Sequence, residues 1–256
     1  MKFSKMKFTS LLSTIALSMM FIAACSQDEA KPAETTTTEE AATSEVAKEI
    51  AEIKTMKGED LVKQNSAKKK DEVLIIDVRS SEEYKAGHIP NAINISVDET
   101  ESRLNEIEDY KDKPVIVYCN SGKKSQDSAE ILVNNGFQDV TNAEGVKEFE
   151  YDLVQYGDVR GEAFLALIEE NKDAVVVDVR PAKDVKDTGM IEGAISIPFD
   201  EVESNLDKLP KDKTIALYCN TGTKSAEVAK QLEDLDYENV VNAIEGVKEY
   251  SFELVK

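Results

Sequence analysis

The second half of this 256-residue chain repeats the first. VLIIDVR at 73 to 79 returns as AVVVDVR at 174 to 180, and AGHIPNAINI at 86 to 95 returns as TGMIEGAISI at 188 to 197. KDKPVIVYCN at 111 to 120 reappears as KDKTIALYCN at 211 to 220, and NAEGVKEF at 142 to 149 as NAIEGVKEY at 242 to 250. The offset drifts only between 100 and 102 residues. That period is too long for one turn of a solenoid and suits a domain, so two tandem copies of one fold are expected.

Within each copy, short β-branched runs alternate with longer amphipathic stretches. In the first copy the runs are Val73 to Val78, Ala92 to Ile95, Val115 to Tyr118, and Val140 with Thr141. Apolar runs without polar alternation suit strands buried on both faces of a parallel sheet. After the cysteine loop, Ser125 to Asn135 carries apolar residues at helical spacing and stops at Gly136. In the second copy Ala226 to Leu235 stops at Asp236, which tolerates the left-handed region better than most residues. The fold class read from this is α/β, with two tandem three-layer α/β/α domains, each around its own parallel sheet.

The N-terminus belongs to neither copy. Residues 1–24 carry Lys2, Lys5 and Lys7, then an apolar stretch, then small residues leading into Cys25. This order reads as a secretory signal, and Ile22-Ala23-Ala24-Cys25 resembles the bacterial lipobox. That resemblance implies that Cys25 is lipidated and that the body is held outside the cytoplasm on the bacterial cell membrane. Residues 25–50, rich in Thr, Glu, Ala and Ser, are expected to form a disordered tether. The two domains then occupy 51–153 and 154–256. A net charge of -20 argues against nucleic acid as a partner.

The chemistry concentrates in the repeated string CNSGKKS, Cys119 to Ser125, and its copy CNTGTKS, Cys219 to Ser225. Each cysteine follows a buried strand and precedes a helix, the place where open parallel sheets bind ligands. Backbone N–H groups converge there, and the positive end of the helix dipole lies behind them. Such a nest lowers a thiol's pKa without a general base. Cys119 and Cys219 are therefore the expected nucleophiles. The loops Asn120, Ser121, Gly122, Lys123, Lys124, Ser125 and Asn220, Thr221, Gly222, Thr223, Lys224, Ser225 are expected to bind substrate. Ser125 and Ser225 either cap the helix or bond the sulfur. GKKS and GTKS are not phosphate loops, because no Gly stands five residues before Gly122 or Gly222. A disulfide between Cys119 and Cys219 is not expected, since their Cα atoms would have to come within about 7 Å. Neither a metal nor a cofactor is called for.

The order DVR, EY, GHIP with Ala92, a strand into CxxGxxS, then Gly136-Phe137 resembles the rhodanese family of sulfurtransferases. Copy two keeps Asp178-Val179-Arg180, Gly189, Ile191, Ala194, Pro198, Cys219, Gly222 and Ser225. The resemblance spans nearly all of residues 53–256. It implies a double displacement, in which a cysteine thiolate takes sulfane sulfur from thiosulfate or a persulfide and passes it to a thiol or cyanide. The six residues Cys119 to Lys124 before Ser125 match the length of the sulfurtransferase loop; related phosphatases and arsenate reductases have a longer one. Asn120 and Asn220 stand where a common family pattern has Arg, which keeps a second reading in view: a persulfide carrier, or a sulfur- or partner-binding module, without rapid turnover. His88 is expected to be a structural group orienting the loop. Asp77, Arg79, Asp178 and Arg180 are expected to form buried ion pairs. A further DVR at Asp158 to Arg160 is not followed by the GxIxxA element and is set aside.

Overall fold

Two parallel sheets follow from the repeated apolar runs. The computed structural model describes residues 51–65 and 72–256; the signal segment, Cys25 and the tether lie outside the described residues. In the first half the strands are β1 (Lys54–Met56), β2 (Leu74–Asp77), β3 (Ala92–Asn94), β4 (Pro114–Tyr118) and β5 (Asp139–Ala143). In the second they are β6 (Gly157–Val159), β7 (Val175–Asp178), β8 (Ile195–Ser196), β9 (Ile215–Tyr218) and β10 (Val240–Ala243). The spatial orders are β1-β5-β4-β2-β3 and β6-β10-β9-β7-β8, with every pair parallel.

The central strands show why continuous apolar runs are needed. Val115, Val117 and Cys119 enter one core with Ala129, Leu132 and Val133. Ile116 and Tyr118 enter the core on the opposite face with Leu61. Ile215, Leu217 and Cys219 alternate with Ala216 and Tyr218 in the same way. Both faces of each sheet are thus covered, and the alternation of side chains fixes the face on which each cysteine lies.

The helices are α1 (Gly58–Gln64), α2 (Ser81–Lys85), α3 (Lys123–Asn134), α4 (Gly161–Glu170), α5 (Ala182–Thr188) and α6 (Thr223–Asp234). The helices after the cysteines begin two or three residues earlier than the sequence spacing predicts. Gly122 (φ 76°) and Gly222 (φ 68°) take the left-handed conformation, so the chain turns directly into the helix. Both end as expected, at Gly136 (φ 96°) and Asp236 (φ 61°). The periodicity does not show β1, β6 or the 3-10 stretches Glu101–Tyr110, Phe199–Glu201 and Glu203–Lys208.

The expected ion pairs form. Arg79 meets Asp77 at 2.6 Å and donates to the Gly87 carbonyl at 2.7 Å, while Arg180 meets Asp178 at 2.6 Å and donates to the Gly189 carbonyl at 2.6 Å. Each pair ties the end of a central strand to the turn after the next helix.

His88 does something other than orient the cysteine loop. Its backbone pairs antiparallel with Val154 in the connecting strap, its ring stacks on Tyr84 at 3.6 Å, and its Nδ1 lies 3.1 Å from the Tyr84 carbonyl. Burial depresses its pKa to about 3, so the ring is neutral. The equivalent Met190 pairs with Val255 in the same manner, so the position asks for bulk and backbone pairing, not for an imidazole.

The DVR string at 158 to 160 forms the joint between the two sheets. The Asp158 amide donates to the Tyr84 hydroxyl at 2.9 Å, which itself donates to the Ala92 carbonyl at 2.9 Å. The Asp158 carboxylate accepts from the Asn91 amide and from Asn242 Nδ2, each at 2.7 Å. Arg160 forks to Asp109 at 2.8 Å and to Glu245 at 2.8 Å, and also donates to the Glu106 carbonyl at 2.6 Å. By sheet register the equivalent residues of the first half are Thr55 and Lys57. Lys57 is exposed and, among the described residues, its ammonium pairs with Glu144 at 3.3 Å.

Candidate active site

Cys119 and Cys219 occupy the first residue after β4 and β9, and both are free and buried, at 2% and 3% exposure. The sequence DKPVIVYCN delivers them there because the apolar run ends at Tyr118, whose hydroxyl accepts from the Ile89 amide at 3.0 Å and anchors the strand end. Tyr218 accepts from Ile191 identically.

The loop carbonyls are turned away from the sulfur by a neighbouring turn. The Val146 amide donates to the Cys119 carbonyl and the Lys147 amide to the Asn120 carbonyl, each at 3.0 Å. Val247 and Lys248 do the same for Cys219 and Asn220. With the carbonyls held outward, the N–H groups of Ser121, Gly122 and Ser125 face Cys119. Burial pushes the Cys119 thiol up. The Ser125 hydroxyl and these amides outweigh it and bring the group below the ordinary thiol value.

This contact allows no side chain at Gly145 or Gly246. A Cβ on Gly145 would lie 2.3 Å from the Asn120 carbonyl carbon, and one on Gly246 would lie 2.1 Å from that of Asn220. These glycines shape the cysteine loops and are not among the residues expected to line the site. The available signal was the recurrence of EGVKE in both copies.

Each predicted loop residue now has a place. The Ser125 hydroxyl stands between two acceptors, Cys119 Sγ at 3.4 Å and Asn142 Oδ1 at 2.7 Å. Ser225 stands between Cys219 Sγ at 3.4 Å and the Gly222 carbonyl at 3.0 Å. Sulfur bonding is therefore the arrangement observed, and neither helix has a side-chain cap. Asn120 Nδ2 donates to Glu83 at 2.7 Å and Asn220 Nδ2 to Asp184 at 2.9 Å, so both amides tie the loop to the preceding short helix. Ser121, Lys123 and Lys124 are exposed at the first loop, whereas Thr221 and Thr223 are half-buried and Gly222 is buried at the second. Lys224 pairs with Glu227 at 2.7 Å.

A cavity of about 440 Å³ is lined by Cys219 together with Pro181, Pro198, Phe199, Asp200, Glu201 and Lys224. A larger one, about 1030 Å³, lies at the joint around Arg160 and contains neither cysteine. Size alone does not make a reaction site, and Cys219 lines the smaller cavity.

The rhodanese-like domain family model matches residues 59–149 and 161–253. The chain belongs to the rhodanese family. Its relatives include the thiosulfate sulfurtransferase PspE of Escherichia coli (strain K12), 41% identical over 73 residues, which is 28% of this chain and 70% of that protein. The thiosulfate sulfurtransferase GlpE of Coxiella burnetii (strain RSA 331) is 40% identical over 74 residues, 28% of this chain and 65% of that protein. A tRNA uridine(34) hydroxylase of Cronobacter sakazakii is 33% identical over 78 residues, which cover 29% of this chain but only 22% of the hydroxylase. The shared part is thus most of one relative and a minor part of another. In rhodanese terms, the two domains hold in common a cysteine after the central strand, a serine hydroxyl 3.4 Å from its sulfur and a turn whose amides bind the loop carbonyls.

Proposed function

We propose that this rhodanese protein is a lipid-anchored, extracytoplasmic sulfurtransferase. It moves sulfane sulfur from thiosulfate or a persulfide to a thiol or cyanide through persulfides on Cys119 and Cys219. The observation that carries this reading is the buried Cys119 sulfur faced by backbone N–H groups and by the Ser125 hydroxyl. That arrangement favours an anion, which suits a nucleophile that is already ionised.

The steps balance without a cofactor. Cysteine thiolate attacks the outer sulfur of thiosulfate, the S–S bond breaks, and sulfite leaves with its electron pair. The resulting Cys–S–S⁻ is held by the same amides. Cyanide or a thiolate then attacks the outer sulfur, releasing thiocyanate or a new persulfide and restoring the thiolate. Sulfur transfer also fits the acidity of the chain, whose net charge of -20 disfavours tRNA as a partner.

The anchored location rests on the lysine-rich, apolar and small-residue order ending at Cys25. Cells fed labelled palmitate should incorporate it into the wild-type protein and not into Cys25→Ser. The chemistry is tested by incubating purified protein with thiosulfate, polysulfide or glutathione persulfide, then cyanide, using Cys119→Ser and Cys219→Ser singly and together. The expected result is one added sulfur on each remaining cysteine and thiocyanate release that the double variant lacks. Absence of any persulfide on both cysteines would refute the reading.

A further inference from the structure

The two cysteine mouths share a backbone and an Asp-Glu pair, Asp98-Glu99 and Asp200-Glu201, and differ in the cations that face it. Val97 and Phe199 occupy the same place in the two halves, their amides donating to the Val78 and Val179 carbonyls at 3.0 and 3.1 Å. Around Val97, the carboxylate of Glu99 accepts from Ser96 at 2.8 Å and faces Arg103 at 3.4 Å. On the facing helix turn, Lys123 and Lys124 are both exposed, and neither forms an ion pair with a described residue. The first mouth therefore has two lysines outside any ion pair with a described residue, set against exposed Asp98 and against Glu99, which shares Arg103 with Glu106 at 2.6 Å.

In the second half Ser96 and Arg103 are replaced by Pro198 and Asn205, and Lys123 by Thr223. Asp200 and Glu201 line the cavity beside Cys219, and neither has a cationic partner among the described residues. The one lysine of this loop, Lys224, is drawn onto Glu227 at 2.7 Å and lies over the Phe199 ring at 4.1 Å. Arg180 also lines the cavity, but its guanidinium is taken by Asp178 and the Gly189 carbonyl. Glu83 and Asp184, each tied to an asparagine, cancel between the two sites.

A thiosulfate dianion entering the second mouth would be desolvated beside two carboxylates with no free cation to compensate it. An organic group would instead meet Pro181, Pro198 and Phe199, and an ammonium on it would meet Asp200 and Glu201. We propose that the two domains divide their substrates. Cys219 exchanges sulfur with small organic persulfides and thiols that are uncharged or bear an ammonium group, and anionic donors are directed to Cys119. This inference rests on the sulfur-transfer reading. The step at Cys219 is Cys–S⁻ plus R–S–SH giving Cys–S–S⁻ plus R–SH: one S–S bond forms, one breaks, and the leaving thiolate takes the proton of the persulfide.

The test uses the mature full chain with one active thiol at a time, Cys219→Ser for the first site and Cys119→Ser for the second. Persulfide formation is followed by intact mass with thiosulfate and with cysteamine persulfide as probes. At low ionic strength thiosulfate should load Cys119 at least about tenfold faster than Cys219, the lower end of what charged clefts do to encounter rates. The gap should narrow as salt screens the mouths. Cysteamine persulfide should load Cys219 at least as fast as Cys119. Adding Asp200→Asn and Glu201→Gln to the Cys119→Ser chain should raise thiosulfate loading of Cys219. Equal thiosulfate rates at the two cysteines in low salt, or no response to removing the two carboxylates, overturn the division and leave sulfur transfer standing. Failure of every donor at both cysteines overturns sulfur transfer and the division together.

Discussion

The first and second domains hold their cysteines by nearly superimposable backbone bonds, yet the side chains around those bonds have diverged. The amides at 146 and 147 and those at 247 and 248 lock the two loops identically, and both serines sit 3.4 Å from sulfur. By contrast, Asn142 accepts from Ser125 and donates to the Gly122 carbonyl at 2.9 Å, while its counterpart Asn242 is drawn away to Asp158. Main-chain geometry is thus what the fold preserves for the chemistry. The side chains are free to set which molecules reach the sulfur and how the domains join.

The strongest challenge to the shared backbone is to fill the contact that maintains it. Gly145→Ala and Gly246→Ala place a methyl inside van der Waals distance of main-chain atoms that have nowhere to go. Each should cost about 2–4 kcal/mol in denaturant unfolding and abolish persulfide formation at its own cysteine. Equal damage in both domains would support the common skeleton; a silent variant in either would break it.

The joint gives an unequal pair. Arg160→Ala removes the cation shared by Glu245 and Asp109, and because Asp109 is half exposed the expected loss is about 1–3 kcal/mol. Lys57→Ala, at the equivalent exposed position, should change stability by less than about 0.5 kcal/mol. Matching losses by urea titration would show that the two positions had not diverged.

His88→Met makes the first domain resemble the second at this position. The folded pKa of His88, about 3, lies below its ordinary value of 6.5, so the unfolded chain binds the proton first as pH falls. Stability from this group is complete above about pH 6.5 and is lost progressively toward pH 3, by about 2 kcal/mol at pH 5. The methionine variant should lack that acid-dependent loss when unfolding is compared at pH 7.5 and pH 5. An unchanged pH slope would contradict a neutral buried ring.

The mildest change is Ser125→Ala. It removes a donor to the Cys119 sulfur, so the thiol pKa should rise and alkylation at neutral pH should slow by a few-fold. In the wild type the thiolate persists below the ordinary thiol range and is lost as pH falls through its lowered pKa. An alkylation profile that does not move with the substitution would assign the depression to the amides alone.

The repeat, the central strands and the cysteine turns were legible because each rests on local pattern: Val115 to Tyr118 is apolar throughout, and Gly122 and Gly136 mark turns that favour glycine. The edge strands Lys54–Met56 and Gly157–Val159 were hidden, since three residues on a sheet margin need no apolar run. The role of Gly145 was hidden for a different reason, because its constraint comes from Asn120, 25 residues earlier in the chain. Asn120 stands where a common family pattern has Arg. Its bond to Glu83, across a gap of 37 residues, makes it a brace for the loop.

Asp158 and Arg160 carry a consequence for the history of the chain. A freshly duplicated domain can be shuffled, since either copy fits either place. Here only the trailing copy has the aspartate and arginine that grip its neighbour, while the leading copy has Thr55 and Lys57 at the same stations. Transposing the halves would keep both cysteines and both loops intact and would leave the pair without its fastening. The tandem has acquired a direction, recorded in two side chains, and further rearrangement of the gene is constrained by it.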